Sequence, residues 1–322
     1  MSEKWIDTRT TDGLVTAADI ETSLTPEPPE GKVPSAKCVY DELGDVERQL
    51  HVINCGNSTP QWWGLRIVAE EPGAEVSMSK TGSPDAVSLL YSTDDGSTWD
   101  SFDGNGGTTV ELTNVGDAVC FKAGASGNTK ISKADSHYRT FTLSKRCGAY
   151  GNIMSLLDGT DAETATAATM DDYCFRCLFR GQSNLVHAPD LPAMTVGWYG
   201  YDNMFRGCSS LATAPALPAT SINPYAYRSM FYECTALSSP VEIAAEYPTY
   251  NSMNYLFAYC TSLTEVTAHF TQWTTSANYE ITANWMIGVD GTVGSGTFKC
   301  PAGLRVEYSR DRIPTGWTVV NI

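Results

Sequence analysis

The sequence predicts a mixed α/β multidomain chain: an N-terminal extended arm and short coiled-coil helix, an antiparallel β-sandwich, and a C-terminal repeat solenoid. Three observations carry this. The chain opens on a polar, acidic, Pro-rich stretch; short apolar runs follow at even spacing between residues 61 and 145; and from Tyr173 onward the sequence repeats every 26 residues. The predicted divisions are 1–33 (extended anchor or linker), 34–55 (oligomerising helix), 60–147 (β-sandwich) and 148–322 (repeat solenoid with a C-terminal cap). With 322 residues, 42% of them hydrophobic, the chain has length and apolar content for several cored domains, and wholesale disorder is not expected.

In the first segment, Thr25-Pro26-Glu27-Pro28-Pro29-Glu30-Gly31 excludes helix and inner strand, because proline fixes φ and lacks a donor N–H. An extended linker is the expectation; a tail ordered only against a partner is the alternative. Ser35 can cap a short helix in which Val39, Leu43, Val46 and Leu50 are spaced 4, 3 and 4 residues apart, the seam of a coiled coil. So short a seam cannot hold a coiled coil alone, which leaves an amphipathic helix lying on the next domain as the other reading.

Residues 61–145 read as strands: Leu65–Ala69, Val87–Tyr91, Thr109–Leu112, Ala118–Phe121 and Arg139–Leu143, each bounded by Gly, Asp, Asn or Ser. Regularly spaced short strands predict a small antiparallel sandwich. Within it, Ser92-Thr93-Asp94-Asp95-Gly96-Ser97-Thr98-Trp99 fits the Asp-box pattern seen in sialidases and many other β proteins. Asp94 is expected to accept turn N–H groups, Gly96 to take positive φ, and Trp99 to pack across the hairpin. One box, with no arginine cluster, points to a hairpin device rather than a sialidase site.

The repeat appears in Phe179, Phe205, Phe231 and Phe257, each opening a matching heptapeptide that closes on Leu185, Leu211, Leu237 or Leu263. A period of 26 falls in the leucine-rich range, so the solenoid is read as a leucine-rich repeat solenoid. Tyr199, Tyr201, Met204 and Phe205 have near-helical spacing, as do Tyr225, Tyr227, Met230 and Phe231, and a helical turn ended by Gly207 is predicted. One such unit cannot bury its own apolar face, whereas stacked units can. Cys208, Cys234 and Cys260 share a repeat position, with Gln182 in the first unit, and read as a buried column of small apolar groups. Cys174 and Cys177 form a lone Cys-x-x-Cys without a second pair at finger spacing, which disfavours zinc. Gly296–Pro301 and Ile313–Val320 are expected to close the stack.

These residues resemble a known family. Tyr199-x-Tyr201-x-x-Met204-Phe205-x-Gly207-Cys208-x-Ser210-Leu211, followed by Ala214-Pro215-x-Leu217-Pro218-Ala219-Thr220, is similar to the BspA-type leucine-rich repeats of gut Bacteroidales and their phages. Gly151–Leu157, Gly296-Thr297-Phe298 and Ile313-Pro314-x-Gly316-Trp317-Thr318-Val319 match it too, and the β module around Tyr91–Trp99 resembles one often joined to such repeats. Together they cover roughly residues 65–322. Val33–Leu43 resembles a segment near the N-terminus of phage head and tail fibre proteins. The resemblance implies a particle-bound N-terminus, a trimerising helix and distal binding domains.

Chemistry is sparse. The four histidines, His51, His137, His187 and His269, have no paired spacing. No metalloprotease, serine-hydrolase or phosphate-loop motif occurs. Asp94-Asp95 and Asp171-Asp172 sit in turn or capping contexts rather than as an evident glycosidase pair. The net charge of −16 disfavours nucleic acid and anionic membrane as partners. No apolar run approaches the ~20 residues of a membrane span. Met1–Asp7 lacks the basic-then-apolar pattern of a secretory signal, so folding in a reducing host cytoplasm is expected. The function expected is a non-enzymatic structural protein of a virion, without cofactor or metal: a short trimeric fibre, attached to capsid or tail through its N-terminus. Its repeats would project outward for host attachment to a surface glycan or protein. Trp198, Tyr247, Tyr250 and Trp273 are candidates to stack on such a ligand, or else to pack between repeats. The alternatives are a bacterial cell-surface adhesin and, more weakly, a carbohydrate-active enzyme.

Overall fold

A computed structural model describes residues 64–159, 169–275, 277, 279–289 and 296–322, which belong to one compact unit. The predicted anchor (1–33) and oligomerising helix (34–55), with Val39, Leu43, Val46 and Leu50, lie outside the described residues.

The chain first builds β1 (Arg66–Ala69), β2 (Ala74–Thr81), β3 (Leu89–Ser92), β4 (Asp100–Phe102), β5 (Thr109–Leu112), β6 (Ala118–Ala123), β7 (Tyr138–Leu143) and β8 (Cys147–Tyr150). They pair antiparallel in two sheets, ordered β8-β1-β6-β3-β4 and β5-β2-β7. Alternation explains the inner faces: Val76 and Met78, Val110 and Leu112, and Phe141 and Leu143 point inward between solvent-side polar residues. The two sheets meet through Phe102, Phe121 and Phe141, whose ring centroids are 5.0 and 5.1 Å apart in succession. A one-turn helix, α1 (Ser155–Asp158), follows. It is too short to be stable alone. Ser155 Oγ fixes it, donating to Phe121 O and accepting from Leu65 N.

The remaining strands are β9 (Thr169–Met170), β10 (Leu185–His187), β11 (Thr195–Val196), β12 (Ser221–Ile222), β13 (Val241–Ile243), β14 (Glu265–Ala268), β15 (Thr297–Cys300) and β16 (Thr318–Asn321). Apart from β10, which pairs with β8, they pair in parallel as β12-β11-β9 and β13-β14-β15-β16, so each meets a strand of the neighbouring unit.

The expected mixed α/β class is corrected here. Among the described residues the one α-helix is the four-residue α1, the regular structure is otherwise strand, and no helical coiled coil is present. Nor do the units form a leucine-rich repeat solenoid with helical limbs: the segments of near-helical spacing are runs of consecutive turns. The cause is the backbone. Tyr173, Cys177 and Gly181 have φ of 60°, 61° and 75°; Tyr199, Asn203 and Gly207 have 56°, 55° and 76°; Tyr225, Ser229 and Glu233 have 61°, 52° and 61°. A left-handed residue at every fourth position breaks the continuous i→i−4 ladder that defines an α-helix.

The N–H groups divide instead. Arg176, Leu178, Arg180 and Gln182 donate three residues back, to Tyr173, Phe175, Cys177 and Phe179, while Phe175, Cys177, Phe179 and Gly181 donate to Gly200, Asp202, Met204 and Arg206 of the next unit. Tyr201, Asn203, Phe205 and Gly207 repeat the second pattern onto Ala226, Arg228, Met230 and Tyr232. Each non-glycine residue held left-handed costs roughly 1–2 kcal/mol. Inter-unit hydrogen bonds and ring stacking offset that cost, so the run is stable only within the stack.

The strand segment and the stack share one hydrophobic core. Phe141 on β7 stacks on Phe179 at 5.3 Å, and Phe141 N donates to Leu178 O as one unit does to the next. Gln182 stands where other units have cysteine, and its Oε1 accepts from Leu143 N at 2.9 Å. β8 continues the junction by pairing parallel with β10. Strand β7 therefore occupies the place of a preceding unit. At the other end, Trp273 and Trp285 donate their indole N–H groups to Arg305 O and Arg312 O, binding the 305–313 loop over the last turn run.

Candidate functional site

The repeat-core residues predicted from the sequence lie in the interior: Phe179, Leu185, Phe205, Cys208, Leu211, Phe231, Cys234, Leu237, Phe257, Cys260 and Leu263 are all fully buried. The four phenylalanines form a column with centroid spacings of 5.8, 5.6 and 5.8 Å. Each thiol donates to a phenylalanine carbonyl one unit back, Cys208 to Phe179, Cys234 to Phe205 and Cys260 to Phe231. Burial pushes the Cys208 and Cys260 thiols well above their ordinary range, so they are packing groups and not nucleophiles. Cys174 and Cys177 are buried as well, and among the described residues no group of three or more His, Cys, Asp or Glu side chains is placed to hold a metal ion.

The Asp94 turn is closed by its own side chains. Asp94 accepts from the Ser92 hydroxyl at 2.6 Å, from Thr98 N at 2.8 Å and from the Thr98 hydroxyl at 2.7 Å. Those donors, led by Ser92, hold its carboxyl down at about 2. Gly96 has φ of 88°, Trp99 donates its indole N–H to Gly96 O, and Lys122 Nζ lies 4.0 Å over the Trp99 ring. Every oxygen of the motif that these bonds use serves the hairpin.

The histidines are dispersed. His137 accepts from Ser83 N, His187 bonds Ala149 O and stacks on Tyr150, and His269 pairs with Glu242 at 2.7 Å; His51 lies outside the described residues. Asp172 accepts from Trp198 N, a capping contact between units.

Two arrangements go beyond the sequence reading, which named Trp198, Tyr247 and Tyr250 as stacking candidates but not the tyrosine line beside them. The first is ionic. Arg176, Asp202 and Arg228 share one repeat position in successive units. Asp202, fully buried, accepts from Arg176 Nε at 2.7 Å and from Arg228 Nε and Nη2 at 2.8 and 2.9 Å. Burial opposes the Arg228 charge, and Asp202 more than offsets it, holding the guanidinium above its ordinary value. Asp135 accepts from Arg176 at the solvent side. The 26-residue alignment carried this signal as a plus, minus, plus column.

The second is an aromatic corner, where each short strand meets its turn run. Tyr173, Tyr199 and Tyr225 stack face to face at 4.8 and 4.7 Å, with interplanar angles of 11° and 1°. Tyr250 stands across Tyr225 at 5.6 Å and 77°, and Tyr279 across Tyr250 at 5.0 Å and 61°. Trp198, Tyr247, Tyr250 and Tyr279 remain 49%, 75%, 38% and 57% exposed. Trp273, the other aromatic candidate from the sequence, is buried in the terminal core. Arg228 covers the Tyr199 and Tyr225 rings at 4.8 and 5.3 Å. Thr195, Ser221, Asn223 and Thr249, all at least partly exposed, provide the neutral polar groups nearby.

Compared with known proteins, the chain matches no family model, no curated protein and no solved structure.

Proposed function

We propose that the chain is a non-enzymatic structural and binding component of a bacteriophage virion. In this reading it is a short trimeric fibre, attached at the head or the tail, whose N-terminal arm binds the particle and whose stacked units meet a host-surface glycan or protein. The particle-bound half of the reading rests on the resemblance of Val33–Leu43 to phage fibre N-termini. The binding half is carried by one observation: Tyr250 and Tyr279 stay exposed at the end of the Tyr173–Tyr199–Tyr225 ring line, and Trp198, next to Tyr199 in the chain, is half exposed, whereas the Phe179–Phe205–Phe231–Phe257 column is fully buried. Exposed aromatic clusters on a rigid support are the usual substance of recognition surfaces. The non-enzymatic part is supported by where the reactive side chains are spent. The described thiols are buried, Asp94 closes its own turn, and each described histidine is engaged with a different local partner.

Three measurements test the proposal. Immunogold labelling of purified particles is expected to mark the head or tail, native mass to give three chains, and deletion of residues 1–30 to abolish incorporation. A monomer whose mass is indifferent to residues 1–55, retention of the truncated chain in particles, or label confined to the bacterial cell surface refutes it.

A further inference from the structure

The geometry points to the aromatic corner as a docking track for a single linear, neutral polysaccharide chain. The inference rests on the binding role proposed above and specifies its ligand class. Four features of the corner define that ligand.

The first is order. The rings of Tyr173, Tyr199, Tyr225, Tyr250 and Tyr279 touch in sequence along successive units, so the site is a line rather than a pocket. A line of repeated contacts suits a polymer with its own repeat.

The second is what the rings leave free. Tyr173, Tyr199 and Tyr225 spend their faces on one another and present edges and hydroxyl groups. Tyr250 and Tyr279 stand across the line, with no parallel ring over them among the described residues, and Trp198 is half exposed beside Tyr199. The corner thus alternates apolar ring surface with phenol oxygens. A pyranose ring alternates in the same way, with an axial C–H face that packs on aromatic surface and equatorial hydroxyls at its rim.

The third is charge. The chain carries a net charge of −16, which repels an anionic polymer at long range. At Tyr199 and Tyr225 a cation already stands by the rings, because the Arg228 guanidinium lies 4.8 and 5.3 Å from their centroids. The charged side chains beside the rings are already engaged, Arg228 with Asp202 and Asp135, and Asp172 with Trp198 N, and Thr195, Ser221, Asn223 and Thr249 add neutral polar groups.

The fourth is preorganisation. Stacking and the Arg228–Asp202 bonds hold the tyrosines before any ligand arrives, so little side-chain freedom is lost on binding.

The test is affinity electrophoresis of the purified full-length chain through gels containing mixed-linkage β-glucan, α-mannan or dextran, with polygalacturonate as the anionic comparison. At least one neutral polymer is expected to retard the protein. Trp198→Ala and Tyr250→Ala are each expected to weaken that retardation roughly tenfold while thermal melting shows each still folded at the assay temperature, whereas Tyr308→Ala, at an exposed tyrosine elsewhere, leaves retardation unchanged. The inference is overturned if no neutral polymer retards the chain, if polygalacturonate alone does, or if the Trp198→Ala/Tyr250→Ala double variant migrates as the parent does. Incorporation into particles is read separately from this assay, so a non-binding chain that still assembles removes the ligand assignment and leaves the virion role standing.

Discussion

Replacing Asp202 by Asn probes the strongest electrostatic commitment in the stack. The carboxylate is fully buried and takes hydrogen bonds from Arg176 Nε (2.7 Å), Arg228 Nε (2.8 Å) and Arg228 Nη2 (2.9 Å). Arg176 is itself 5% exposed. At a separation of about 4 Å and an effective dielectric constant of about 20, one unit-charge pair is worth about 4 kcal/mol. Asp202 makes two such pairs, against the desolvation of three charges. The amide keeps the shape but loses the charge, turns a donor toward a guanidinium, and leaves Arg176 and Arg228 sharing only the exposed Asp135 carboxylate, at 3.3 and 3.5 Å. Breaking a buried pair this way costs about 3–5 kcal/mol. A domain of this size loses about 2–4 °C in melting temperature per kcal/mol, so a fall of roughly 10 °C is expected. Thermal melting of parent and variant at pH 7 measures the fall, and urea denaturation measures the free-energy cost. Asp85→Asn is the comparison, because the Lys133–Asp85 pair is equally short, at 2.7 Å, yet about half exposed on both sides. That change is expected to be much milder, because solvent screens an exposed pair. If Asp202→Asn is as mild as Asp85→Asn, the buried ladder contributes nothing to holding the units together and the electrostatic account of the turn column fails.

Three further outcomes are expected. The Asp94 carboxyl, held at about 2 by Ser92 and Thr98, has a folded pKa below its unfolded value, so its contribution is complete above pH 4 and lost as pH falls toward 2; the melting-temperature gap between parent and Asp94→Asn should close over that interval, and a gap independent of pH contradicts the assignment. Glu233 holds φ of 61° where the two preceding units have Gly181 and Gly207; Glu233→Gly removes left-handed strain of roughly 1–2 kcal/mol and adds less than that in unfolded-chain entropy, so a small gain in the denaturation midpoint is expected and a loss argues against the strain. Eight of the ten cysteines are described and buried, and burial pushes the Cys120 and Cys147 thiols up to about 12; Ellman's reagent should therefore find at most Cys38 and Cys55 reactive in the native chain, with the rest appearing on unfolding, and faster reaction of more thiols contradicts the packing.

Periodicity was enough to locate the repeat and to nominate its interior, because the same side of every unit must hide the same kind of group, as Phe205, Cys208 and Leu211 do. The Asp94 turn was legible for a different reason: its bonds join residues at most four apart, so the code is local. What periodicity could not settle was the backbone between Tyr199 and Gly207. Apolar residues three and four apart suit an α-helix and a run of turns equally. The choice between them lies in N–H groups that find acceptors a whole unit away. Asn203, Gly207, Ser229 and Asn251, at places that become left-handed, were the available hint, and the tyrosines interleaved with them obscured it. Strand β2 was missed because Glu75, Ser77 and Ser79 dilute the Ala74, Val76, Met78 alternation, and only pairing on both sides with β5 and β7 makes it a central strand. The sequence alone therefore determined the repeat length, the buried columns and one hairpin. The tertiary structure alone decided that the repeats are turns, that β7 serves as the unit before the first, and that the tyrosines form a line, half-buried at Tyr173, Tyr199 and Tyr225 and exposed at Tyr250 and Tyr279. Each of these depends on contacts between residues distant in the chain, whose energies no local pattern contains.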